Sequence, residues 1–187
     1  MTSYLYMVIL GCRPAGRLVE QHDVFFGIAP SLKALIPAMK RAWPEAKGVM
    51  HIDAWRRVTQ VGNFNIQVQS GAAQQPGTHA LFFINLGGYK PGEFEEFHYK
   101  LLAVGANKAM AIQQAKQTAF YKHTGFKGAE SHVDDKYGVD VDVVHEIQDI
   151  LPEEFKSQYH LMISEGAADE DVLNIGYYKL AALDEGY

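Results

Sequence analysis

The sequence predicts an α+β protein of two tandem ββαββ-like repeats, each an antiparallel sheet with one main helix on a face, related by a pseudo-twofold. Three observations carry this. Short aromatic or β-branched runs bounded by Gly and Pro recur along the chain, as hairpin strands do. Shifting the sequence by 76 lays "LYMVILG" (Leu5–Gly11) on "LFFINLG" (Leu81–Gly87), with identities at Leu5/Leu81, Leu10/Leu86, Gly11/Gly87, Gly16/Gly92, Glu20/Glu96, His22/His98 and Lys40/Lys116. Each copy also holds one segment of helical apolar spacing, and a hairpin sheet buries its apolar face most simply under such a helix.

The elements follow in order. "RPAG" (Arg13–Gly16) and "YKPG" (Tyr89–Gly92) supply turn chemistry between the first two strands, Pro presetting φ and Gly admitting a positive one. Ser31 and Asn107 stand at equivalent places before the helices, and both residue types cap helix N-termini. In the first copy Leu32, Leu35, Ile36, Met39 and Trp43 form the apolar stripe, and Pro37 is expected to kink it. The second copy sets Ala111, Ile112, Ala115 and Ala119 opposite the last four. It then carries an insertion, "HTGFKGAESHVDD" (residues 123–135), after which the shift becomes 89 and "MHIDAWRRV" falls on "VDVDVVHEI". A short helical turn and a last strand complete each copy, "FNIQV" (Phe64–Val68) matching "YHLMI" (Tyr159–Ile163). "LNIGYYKLAAL" (Leu173–Leu183) adds a strand without a counterpart. The boundaries expected are a first repeat over 1–69, a Gly/Gln/Pro-rich linker over 70–80, and a second repeat over 81–187.

Composition narrows the function. A chain of 187 residues has the bulk for a real core. A net charge of −5 without a Lys/Arg cluster argues against nucleic-acid binding, which needs a basic face. No apolar run is long enough to span a bilayer, so no membrane partner is expected. The single Cys12 excludes an intramolecular disulfide and suits the cytoplasm. "VILGC" imitates a lipoprotein cleavage box, yet no Lys or Arg precedes Cys12 and Leu5–Gly11 has an internal counterpart. It reads as a strand.

With "LGCRPAGRLVEQHDVFFGIA" and "HIDAW" in view, the chain resembles a small bacterial family, the domain-of-unknown-function family 1543, in a two-copy form. The resemblance covers most of the chain, more clearly over Tyr4–Val68 than in the second copy. That family has no established activity, so the resemblance implies architecture and no catalytic residue. The second copy departs from the pattern where "RPAGR" (Arg13–Arg17) becomes "YKPGE".

Several residues could carry chemistry. Glu20 and His22 recur as Glu96 and His98, and residues i and i+2 of an extended segment share a face. A carboxylate that orients an imidazole serves acid–base work and metal sites, and equally well closes a hairpin corner. Asp23 occurs in one copy only, Tyr99 standing in its place in the other. His51 and Asp53 form a second such pair, with Asp140 and Asp142 as counterparts. His22, His51 and Asp53, with Asp23 nearby in sequence, are the candidate ligands of a divalent metal. Arg13 and Arg17 either clamp an anion or pair with Glu20 or Glu93. His123, His132, Asp134 and Asp135 of the insertion are further polar candidates. Trp55, Arg56 and Arg57 read as a contact surface or, for Trp55, as core. Cys12 has no partner marking a nucleophile and reads as a small buried residue. There is no Walker loop, dinucleotide glycine fingerprint, paired CxxC or GxSxG.

The expectation is therefore a binding or interaction module for a small ligand or protein partner, homodimeric. Its site is expected among Arg13, Arg17, Glu20, His22, Asp23, His51, Asp53, Glu96 and His98. The alternative is a metal-dependent enzyme with a His/carboxylate site. Its order of strand, helix and three strands resembles the glyoxalase and extradiol-dioxygenase superfamily by topology alone.

Overall fold

In the computed structural model, which describes residues 2–71, 77–89, 92–124 and 140–183, the continuous apolar run at the start becomes a strand, β1 (Tyr4–Cys12). The chain continues through β2 (Gln21–Ala29), α1 (Ile36–Ala42), β3 (His51–Val58), β4 (Gln60–Val61), β5 (Phe64–Ser70), β6 (Ala80–Tyr89) and β7 (Glu96–Gly105). It closes with α2 (Lys108–Thr124), β8 (Asp140–Glu146), α3 (Ile147–Ile150), α4 (Glu153–Lys156), β9 (Tyr159–Glu165) and β10 (Asn174–Lys179). The class is α+β with antiparallel sheets, as the sequence predicts. Two compact units form, Met1–Pro76 with Ile150–Tyr187, and Gly77–Asp149. A repeat is a pattern in sequence and a unit is a matter of packing, and here the chain after Ile150 packs with its beginning.

The first unit is built on a four-stranded sheet of order β10-β3-β1-β2. Period-2 alternation turns Tyr6, Val8, Leu10 and Cys12 of β1 toward one face, where they meet Leu32, Leu35, Ala38, Met39, Ile52 and Trp55 in a single buried cluster. Each fully buried side chain of this kind contributes about 1.5–3 kcal/mol. The helix over that face is shorter and straighter than the sequence suggests. A 3-10 turn at Lys33–Leu35 leads into α1, so Pro37 falls in the first helical turn and kinks nothing. Ser31 supplies no side-chain cap; its carbonyl accepts from Ala34 N–H instead. Trp55 is core, not surface.

A second small sheet, β4-β5-β9, belongs to the same unit. The helical turn expected after β3 is absent; β4 and β5 close a tight hairpin at Gly62, whose φ is +57°, whereas α3 and α4 lie between β8 and β9. The segments that the sequence matches, β5 and β9, pair antiparallel with each other, Ile66 opposite Ile163. Asp171, its side chain 2 % exposed, accepts from Thr59 N–H at 3.0 Å, Thr59 Oγ1 at 2.7 Å and Gln60 N–H at 3.2 Å, with Arg56 at 4.0 Å. These bonds tie the approach to β10 onto the end of β3.

The second unit holds the sheet β7-β6-β8 with α2. Phe82, Ile84 and Leu86 pack with Ala103, Ala111 and Ala115. Asn107 caps α2 as predicted, its Oδ1 accepting from Met110 N–H at 3.0 Å. No helix among the described residues is long and apolar enough to cross a membrane.

Candidate functional site

Three strands bring one cluster together. Gly11 of β1 lies opposite His22 of β2 on one side and opposite His51 of β3 on the other. Directly opposed residues of antiparallel strands share a face, so both imidazoles lean over a residue with no side chain. Gly11 is needed for this space: a Cβ there would collide with His51 Nε2 and stand 2.5 Å from Asp53 Oδ2. This face is the one away from α1, since Gly11 follows Leu5, Met7 and Ile9 while Leu10 and Cys12 join the core.

Asp53 reaches the cluster through a register slip. Ile9 pairs with Ala54 and Leu10 with Ile52, so Asp53 has no partner on β1. On the other side Ile175 pairs with Ala54 and Tyr178 with Ile52, so it has none on β10 either. A bulge re-aims a side chain, and here it sets Asp53 beside His51. Glu20, just ahead of β2 and two residues before His22, adds the second carboxylate.

The geometry is a ring of four. His51 Nε2 lies 3.1 Å from Asp53 Oδ1 and 3.3 Å from Glu20 Oε1. His22 Nε2 lies 3.2 Å from Asp53 Oδ2 and 3.8 Å from Glu20 Oε2. Despite these separations, His51 Nε2 and Asp53 Oδ2 are buried without a hydrogen-bond partner: the groups are close but point past one another. His51 and Asp53 form the sheltered side, with side chains 8 % and 30 % exposed, against 43 % for His22 and 44 % for Glu20. The ring of Tyr177 lies on His51, centroids 4.2 Å apart and planes at 31°.

For a tetrahedral ion with ligands near 2.0–2.1 Å, donor atoms stand about 3.3 Å from each other, close to three of these four distances. Among the described residues, no group of three or more His, Cys, Asp or Glu side chains is placed so that it could hold a metal ion as it stands. The reason is visible: each carboxylate splits its two oxygens between the two imidazoles, which spreads the donors round a ring instead of turning them on one point. Rotation of the exposed Glu20 and His22 side chains is the change a metal would require. The donor types fit.

Other sequence candidates lie apart from the ring. Asp23 follows His22 by one residue, faces the other side of β2, and its Oδ1 accepts from Val24 N–H at 2.7 Å. Arg13 and Arg17 are exposed on the hairpin loop, and the expected pairing with Glu20 is not made, since Glu20 faces the imidazoles. Cys12 is buried in the core, and burial pushes its thiol up from an ordinary value near 9.0, with the Glu20 carboxylate adding to the effect. Such a thiol is a poor nucleophile. Glu96 and His98 belong to the second unit, where His98 stands opposite Gly87. His132, Asp134 and Asp135 lie outside the described residues, as does the His123 side chain. Sequence reasoning missed Tyr177; the "IGYY" stretch signals a strand but not which ring faces the site.

Comparison with known proteins places the architecture and leaves the chemistry open. No curated protein matches the chain. The crystal structure of a protein Il1583 from Idiomarina loihiensis superposes with a TM-score of 0.65 at 19 % identity, over 95 % of this chain and 98 % of that one, a likeness of fold. Residues 17–68, the stretch holding Glu20, His22, His51 and Asp53, match the family described as Domain of Unknown Function (DUF1543).

Proposed function

We propose that the chain is a binding module whose ligand is a divalent transition-metal ion, held by His22, His51, Asp53 and Glu20. One observation carries the reading: three of the four imidazole–carboxylate distances match a coordination edge, and His51 Nε2 and Asp53 Oδ2 are buried without a hydrogen-bond partner over a glycine that leaves them room. A mixed nitrogen and oxygen set favours zinc and similar ions over calcium or magnesium, whose shells are oxygen throughout. His51 and Asp53 are the anchored donors, while Glu20 is the donor free to swing away. A carboxylate that leaves and returns opens a position for a co-ligand, which is what the metal-enzyme reading needs.

The test is a zinc titration of protein purified without an affinity tag and stripped of metal. One ion per chain is expected, lost in His51→Ala, and zinc at one hundred times its Kd should stabilise the fold by about 2.7 kcal/mol. Absence of stoichiometric zinc, with His22→Ala behaving as a surface change, would sink the proposal.

Two further parts of the reading stand beside it. The duplication is supported by matched registers: Gly11 opposite His22 and Gly87 opposite His98, with Asp53 and Asp142 both skipped by the central strand. Glu96, His98, Asp140 and Asp142 then correspond to Glu20, His22, His51 and Asp53, one imidazole fewer. A homodimer is favoured by the exposed Val172, Leu173 and Ile175 on and before the edge strand β10. Light scattering that returns a strict monomer at high concentration would remove it.

A further inference from the structure

We propose that Tyr177 is a positioning residue of the metal site, its ring face holding His51 on the ion; this rests on the metal reading above. The sequence of β10 is arranged to deliver that ring. Between the pairs Ile175–Ala54 and Tyr178–Ile52 two residues, Gly176 and Tyr177, stand opposite Asp53 alone. Gly176 has φ +155°, a conformation that L side chains rarely adopt, so this bulge is written into the glycine. Strand alternation puts the two consecutive tyrosines on opposite faces, and the bulge sets Tyr177 opposite the unpaired Asp53 beside His51. Tyr178 packs against the core cluster, and Tyr177 lies on His51 with ring centroids 4.2 Å apart.

Burial does not explain Tyr177, which is 65 % exposed. What the ring offers is its electron-rich face. An imidazole bound through Nε2 to a divalent ion is drained of electron density, so the contact is stronger with metal present than without. An interaction that differs between two states shifts the equilibrium between them. Tyr177 therefore adds to metal affinity and to the orientation of His51, while adding little to the stability of the metal-free fold. The phenol oxygen has no part in this, so Phe should serve as well as Tyr.

The experiment is a cobalt(II) titration of untagged, metal-free protein, following the visible ligand-field bands of wild type, Tyr177→Phe, Tyr177→Leu and Tyr177→Ala. Tyr177→Phe should match wild type in affinity and spectrum. Tyr177→Ala and Tyr177→Leu should bind about 3- to 10-fold more weakly, the range an aromatic contact supplies, with altered bands and an unchanged thermal midpoint without metal. Wild-type affinity and bands in both truncated variants would overturn the role of Tyr177 alone. A loss in Tyr177→Phe equal to that in Tyr177→Ala would overturn it in favour of the hydroxyl. Wild type that takes no cobalt would overturn the metal reading, and this inference with it.

Discussion

Replacing Gly11 by alanine tests the site at its floor. Gly11 is not among the glycines with positive φ, so the backbone accepts alanine and the whole effect is steric. The added Cβ would stand 2.5 Å from Asp53 Oδ2 and 2.8 Å from His51 Cε1, and closer still to His51 Nε2. Unstrained contacts to carbon lie near ~3.5 Å, so both side chains must withdraw by about 1 Å. His51 has little freedom to do so, being 8 % exposed and covered by Tyr177. Metal–ligand distances tolerate only about 0.2 Å, so the coordinating set should be broken. Overpacking of this kind costs roughly 1–3 kcal/mol in the metal-free fold, and zinc affinity should fall by about 100-fold or more. Urea unfolding without metal reads the first quantity and calorimetric zinc titration the second. A folded Gly11→Ala protein that binds zinc like wild type refutes the reasoning. Destabilisation without loss of zinc would make the cluster a packing feature only.

Asp23→Ala should leave zinc affinity within about twofold of wild type, because Asp23 faces away from the ring, whereas Glu20→Gln should weaken it about tenfold; calorimetry separates the two. Asp171→Ala should cost roughly 2–4 kcal/mol in urea, because it strips acceptors from Thr59 and Gln60 and leaves half-buried Arg56 without its nearest carboxylate. Cys12 has a raised pKa from burial first and Glu20 second, so the folded form holds the proton more tightly than the unfolded one. Its contribution to stability is complete below the ordinary value near 9.0 and is lost as pH climbs through the folded value, a slope that Cys12→Ala should flatten in denaturant midpoints measured across that range.

Local rules made much of this legible in the sequence. A short aromatic and β-branched run over Leu5–Gly11 marks the strand, and the Gly-containing turn marks the hairpin that sets Gly11 opposite His22. The i, i+2 spacing correctly put Glu20 with His22, and it suggested His51 with Asp53. In the second case the answer was right for an incomplete reason, because Asp53 sits at a bulge and its direction is set by two slipped registers. Which strand neighbours which is not written locally. The pairing of β5 with β9, and of β10 with β3, joins segments separated by most of the chain, and no periodicity reports it. Pro37 would kink a helix that began at Leu32, but one turn of 3-10 geometry ahead of it puts it in the first turn of α1, where proline is tolerated.

The same distinction bears on the proposed site and the proposed duplication. The two sheets share hairpin register, bulge position and the Glu-x-His spacing, so the scaffold alone would not decide which of them carries the metal proposed above. The first sheet has His51 where the second has Asp140, and it has β10, which brings Tyr177 onto that same His51. Both differences fall on one imidazole. A residue that is buried, lacks a hydrogen-bond partner at Nε2, and is covered by an added strand is costly to keep for packing alone. Replacing His51 by Leu distinguishes the cases: if the imidazole serves packing, the metal-free variant loses stability and zinc has no effect on either form. If it serves the site, the metal-free variant is equally stable or more so, and only the wild type is stabilised by zinc.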